Sequence, residues 1–146
     1  MKRLIVIAAS VLFLAGCNNR KNEVKVFAQP EFQIEDIWTL SSIRGKSVSY
    51  MDGQHEAYIS FNPEAGTVKG HNGCNIFFGN FKDFGDGKMK LSEISTSKMS
   101  CPDDFHRLEQ SFMQTLMRCN TYKLGQYTLE LFQDEKKMLT FEKQDK

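Results

Sequence analysis

The chain has 146 residues, with 19 basic and 18 acidic side chains and a formal charge of +1. So even a balance excludes the basic field that nucleic-acid binding needs, and the length is that of one domain with room for a real core. Beyond its first residues the chain has no apolar run long enough to cross a membrane.

In chain order, Lys2 and Arg3 precede an apolar run from Leu4 to Leu14, broken only by Ser10, and the small residues Ala15 and Gly16 follow. A charged start, a short apolar core and small residues at the cut predict a secretory signal over residues 1–16. As a helix that run reaches roughly 16 Å, against a hydrocarbon core of about 30 Å. Leu14-Ala15-Gly16-Cys17 resembles the lipobox of bacterial lipoproteins. The resemblance implies that the Cys17 thiol takes a diacylglyceryl group and that the chain is cut before it. Two or more acyl chains then anchor the protein stably. Cleavage leaves residues 17–146, with 17 basic and 18 acidic side chains. Asn18 is not the aspartate that favours inner-membrane retention, so the expected address is the outer membrane of the cell envelope. Residues 17–31 are polar apart from Val24, Val26, Phe27 and Ala28, and read as a tether. The domain proper is 32–146.

Most of the domain reads as β. Ile37–Ile43 is rich in strand formers, Gly45 punctuates, and Lys46–Tyr50 is a short second strand. Met51-Asp52-Gly53 is a turn. Ala57–Phe61 alternates, Asn62–Gly66 turns the chain back, and Thr67–Gly70 is the returning strand. Asn75–Phe81 is an aromatic strand, Asp83–Gly87 a turn, and Lys88–Ile94 alternates again. Tyr127–Phe132 and Met138–Phe141 form a hairpin around Asp134–Lys137. One segment breaks the pattern. Phe105, Leu108, Phe112, Leu116 and Cys119 are spaced three, four, four and three apart, which marks one face of a helix. Asp103 and Asp104 suit its first turn, Arg118 its last, and Asn120 its C-terminal cap. The fold class is therefore α+β, mainly antiparallel β: a curved sheet or partly open barrel meander with one helix packed on it. Phe77 and Phe81 are expected on one face of their strand, with Phe78 and Phe84 less fixed, and filling the core explains most of the aromatic load.

The densest patch runs from Gly70 to Gly79, with Gly73 between them and His71, Asn72, Cys74 and Asn75 beside it. It reads first as a tightly bent strand corner and second as a polar ligand loop. It is no phosphate loop, because no Gly-Lys-Ser/Thr follows. Asp103 and Asp104 belong to the helix start, and His55 to a solvated turn. Glu109 lies between apolar helix positions. Solvent exposure is the simpler expectation for it, and a groove or a capping bond the alternative.

Gly73-Cys74-Asn75-x3-Gly79 resembles a motif of the META domain, the family of heat-shock protein HslJ and many bacterial lipoproteins. Gly70, Trp38-x-Leu40, Thr96-x2-Met99-x-Cys101, Glu109-x2-Phe112-x3-Leu116 and Leu129-x-Leu131 fit as well, covering about Ile37 to Phe141. The resemblance implies a curved sheet or partial barrel with one helix and no established enzymatic activity; no cofactor and no resident metal are expected. It also implies a loose link to stress responses, antibiotic tolerance, virulence or motility. Cys74 and Cys101 fall in the two cysteine motifs that the family carries in sequence, which implies that they are neighbours and bonded. Such a bridge closes a loop of about 28 residues and stabilises by roughly 3.5 kcal/mol in the chain-entropy model. Cys119 is then a buried thiol, although a Cys101–Cys119 bridge or two unbonded thiols remain open. The competing chemistry is a zinc site or small hydrolase built on His71, Cys74, Cys101 and His106, against which the oxidising compartment argues. The expected molecule is a monomer, held to a membrane by lipid, with an envelope protein or small ligand as partner. A partner-binding inhibitor module is a further alternative.

Overall fold

The computed structural model describes residues 34–144. The expected signal, Cys17 and the expected tether lie outside the described residues. Nine antiparallel strands form one ring-like curved sheet with a single helix among the described residues. In chain order the elements are β1 (Trp38–Ile43), β2 (Lys46–Ser47), β3 (Tyr58–Asn62), β4 (Thr67–His71), β5 (Ile76–Gly85) and β6 (Lys88–Thr96). Helix α1 (Asp103–Leu116) follows, then β7 (Thr121–Leu124), β8 (Thr128–Gln133) and β9 (Lys136–Lys143). Neighbours in the sheet are β2-β1-β3-β4-β5-β6-β7-β8-β9, and a long β1–β9 ladder closes the ring. Closure removes the free edges that a nine-stranded open sheet would expose. The mainly antiparallel barrel with one packed helix is thus the observed architecture.

Period-two patterning decides which side chains turn inward. Ile59 and Phe61 on β3, Leu129 and Leu131 on β8, and Leu139 and Phe141 on β9 are all buried. On β1, Trp38 and Leu40 face the core, and a register shift against β9 between Leu40 and Ser42 re-aims the strand so that Ile43 also turns in. A second shift, between Phe81 and Asp83, keeps Phe84 on the side of Phe81. Phe61, Phe81, Phe84 and Tyr122 consequently form a stacked row, with centroids 5.6, 4.4 and 5.3 Å apart. Phe78 points outward and is 61% exposed.

Helix α1 lies against the core through Phe112 and Leu116, both fully buried. The Phe112 ring meets Phe77 and Phe141 edge-on, at 5.9 and 6.0 Å between centroids. Asp103 and Asp104 occupy its first turn as the macrodipole favours. The helix ends earlier than the spacing predicts. Met117 caps it, so Arg118 lies beyond the last turn and Asn120 does not cap it. Instead, Asn120 donates to Asp134 Oδ1 at 2.9 Å and accepts from the Asp134 N–H at 2.8 Å, fastening the β8–β9 turn. Cys119 is still buried, its thiol donating to the Thr115 carbonyl at 3.4 Å.

Three further boundaries differ from the sequence expectation. The second strand shrinks to Lys46–Ser47, and beyond it the Tyr50 hydroxyl donates to the Leu40 carbonyl at 2.8 Å. Strand β5 runs through the expected turn, which tightens to Asp86-Gly87. Thr121–Leu124 is a strand that the hydrophobic pattern does not announce, since its four residues are too few to show a period.

Candidate functional site

The β4–β5 corner, the segment after β6 and the first half of α1 converge on one carboxylate. Cys74 and Cys101 are disulfide-bonded, with their Cα atoms 6.0 Å apart, so the β6–α1 segment is pinned to the corner. Asn72 turns the chain. Its Oδ1 accepts from the Cys74 N–H at 3.1 Å and from the Asn75 N–H at 2.7 Å. Asn75 is the hub: its Oδ1 accepts from the Met99 N–H at 2.8 Å and the Ser97 hydroxyl at 3.0 Å. Its Nδ2 donates to Glu109 Oε1 at 2.9 Å and lies 3.1 Å from Cys74 Sγ. Asn72 Nδ2 donates to the same Glu109 oxygen at 3.1 Å, while Glu109 Oε2 meets His106 Nδ1 at 2.9 Å.

Glu109 is therefore not the exposed edge residue that its position suggests. Its side chain is only 17% exposed. Burial by itself would raise its pKa, but the bonds from His106, Asn75 and Asn72 outweigh it and hold the carboxyl below its usual value. The signal that finds this in sequence is chemical rather than periodic: two asparagines at a glycine-rich corner need an acceptor, and Glu109 is a carboxylate on the facing side of the helix.

The glycines of the motif are explained by packing. A Cβ at Gly70 would sit 2.1 Å from the Tyr58 carbonyl oxygen and 2.6 Å from Phe77 Cζ. At Gly79 it would sit 2.3 Å from Ile94 Cδ1, and Gly73 has φ +97°. The stretch is thus a bent strand corner whose polar groups bond inward. Thr96 pairs with Phe77 across β5–β6 and lines a groove of about 510 Å³ with Glu109 and Met113.

His71 does not join Cys74 and His106. Its Nδ1 accepts from the Gly73 N–H at 3.1 Å, and its ring lies 5.0 Å from His55 and 6.3 Å from Tyr58. Burial, then the neighbouring His55, push its pKa down against the pull of Glu109, which favours the neutral ring. Among the described residues the group with metal-ligand character is Cys74, His106 and Glu109, whose donor atoms lie within 4.8 Å of one another. The four-residue set with His71 is not assembled.

On the outer face beside this corner, Thr39, Tyr58, His71 and Ile76 stand in register across β1, β3, β4 and β5. With Ile37, His55, Glu56, Met99 and Gln144 they line a groove of about 610 Å³. Ile37, Ile76 and Met99 are 44%, 56% and 59% exposed. Sequence reasoning missed this groove, since its walls come from separate strands whose register only the closed sheet defines.

A family model described as the META domain matches residues 30–146. No curated protein matches the chain. Among solved structures, an NMR structure of a protein from Burkholderia xenovorans has a TM-score of 0.60 at 18% identity, covering 86% of this chain and 97% of that one. A second NMR structure has a TM-score of 0.57 at 23% identity, covering 78% and 93%. A crystal structure of a duf4847 family protein from Bacteroides vulgatus has a TM-score of 0.50 at 17% identity, covering 77% and 96%. At these identities the likeness concerns the fold.

Proposed function

This chain belongs to the META domain family, and on that premise we infer that it is a lipid-anchored, non-enzymatic protein of the cell envelope that binds an apolar ligand or partner segment. The observation carrying this reading is the outer groove. Three large apolar side chains stand exposed around it, on a frame that a disulfide and the Asn75 hydrogen bonds hold in place. Concave apolar surface with a few polar groups is the usual form of a binding site, and His55, Tyr58 and His71 supply the polar part.

The non-enzymatic part rests on thiol chemistry. The Cys74 sulfur is tied up in a disulfide and cannot act as a nucleophile beside His106. Burial pushes the Cys119 thiol up to about 12, which leaves it inert. The anchor is Cys17, the address the outer membrane, the state a monomer, and the role one of envelope support under stress. The test is a photo-cross-linking residue at Met99 in the protein in its own membrane. A ligand or partner adduct that is absent when the probe sits at Gln133, and lost on Ile76→Asp, supports the reading. Equal labelling from both positions contradicts it.

A further inference from the structure

We propose that reduction of the Cys74–Cys101 disulfide turns this corner into a site for a thiophilic divalent cation, zinc above all, with Cys74, His106 and Glu109 as ligands and Cys101 as the fourth. The inference goes beyond the groove and does not depend on it. Three donor atoms are already gathered: Cys74 Sγ, a His106 ring nitrogen and a Glu109 carboxylate oxygen lie within 4.8 Å of one another. A tetrahedral zinc ion with bonds of about 2.0–2.3 Å sets its donor atoms roughly 3.3–3.8 Å apart. The widest of these separations therefore has to close by about 1–1.5 Å, while His106 Nδ1 and Glu109 Oε2 already stand 2.9 Å apart. Cys101 Sγ is bonded to Cys74 Sγ and so stands next to the group. Once the bond is cut, Cys101 can move to the remaining vertex, because it lies in the irregular segment before α1.

The surrounding groups are those a metal site uses to orient its ligands. Asn72 and Asn75 both donate to Glu109 Oε1, which leaves Oε2 directed at His106. Asn75 Nδ2, 3.1 Å from Cys74 Sγ, is placed to donate to a thiolate. His106 and Glu109 are one helical turn apart on α1, so a rigid element holds both. The His106 side chain is 39% exposed, which gives an ion a way in.

The chemistry balances with a dithiol as reductant. One dithiol gives two electrons and two protons to the Cys74–Cys101 bond, becoming a disulfide itself and leaving two thiols. The cation then displaces one proton from each thiol. In the oxidised protein neither sulfur is a thiolate, so metal affinity follows the redox state.

The probe is Co2+, added to the mature protein with and without prior reduction by a phosphine. The reduced protein should bind one Co2+ with tetrahedral ligand-field bands and thiolate charge-transfer absorption, and Zn2+ should displace it. The oxidised protein should show neither. His106→Ala, at a partly buried helix position, should weaken binding by at least roughly ten-fold while the near-ultraviolet circular dichroism of Trp38 is retained, whereas Cys119→Ser should leave it unchanged. Binding unaffected by His106→Ala, or equal in oxidised and reduced protein, would overturn the proposal. So would loss of the Trp38 near-ultraviolet circular dichroism in reduced, metal-loaded protein, because the site requires the folded corner.

Discussion

Glu109 shows how a single carboxylate can organise a corner. Removing its charge leaves the Asn72 and Asn75 amides competing for one neutral oxygen. Glu109→Ala should cost about 1–3 kcal/mol in urea unfolding, because two buried donors, Asn72 and Asn75, lose their acceptor. Acid should act in the same direction through two groups. His71 has a folded pKa below its ordinary value, so its contribution is full above about 6.5 and falls away as the pH drops below that. Glu109 also has a folded pKa below the ordinary one, so its contribution is present above about 4.3 and lost as the pH falls through the folded value. The urea midpoint should thus be flat above neutrality and decline in two stages. His71→Gln should remove the first stage and Glu109→Gln the second. Thr115 offers the opposite sign. Its hydroxyl is fully buried without a hydrogen-bond partner. Thr115→Val should therefore raise stability by about 1 kcal/mol, and a loss of that size would mean the hydroxyl has a bridging water.

At the scale of elements, the helix and the long strands were legible because each repeats its period several times. Phe112 and Leu116 lie on the predicted face and are fully buried. What the sequence hid follows from contacts rather than period. Strand β7 is too short to announce itself, and Asn120 is drawn from the helix end to Asp134 by a turn fourteen residues away. The site divides in the same way. The glycine and cysteine motifs were visible as residues, but Glu109 was misjudged, since helix position alone does not show which groups wait opposite it. Gly70→Ala should be more damaging than an ordinary surface change, costing about 3 kcal/mol or preventing folding. The added carbon collides with backbone at Tyr58 and cannot be relieved by a rotamer. The double substitution Cys74→Ser with Cys101→Ser should lower stability by roughly 3 kcal/mol in the chain-entropy account. A loss below about 1 kcal/mol would mean that the Asn72–Asn75–Glu109 bonds hold the corner unaided.

For the whole molecule, closure by β1–β9 joins the first and last strands, so the barrel depends on residues a hundred positions apart. The seam is weakest between β6 and β7, which share the single register pair Lys88–Thr121. Helix α1 is the connection inserted there, and it covers the core with Phe112. Amides of Met89 and Tyr122 should accordingly exchange faster than those of the β8–β9 ladder, as hydrogen exchange would report. The proposed lipid anchor and a lasting Cys74–Cys101 disulfide both presuppose export, so the proposed function rests on where the chain is processed. Intact-mass analysis of the native protein, isolated from membranes without reductant, tests that most directly. The account predicts a chain beginning at Cys17, carrying at least two acyl groups and lighter by two hydrogens for the Cys74–Cys101 bond. An unprocessed, unacylated chain with all its cysteines as thiols would contradict it.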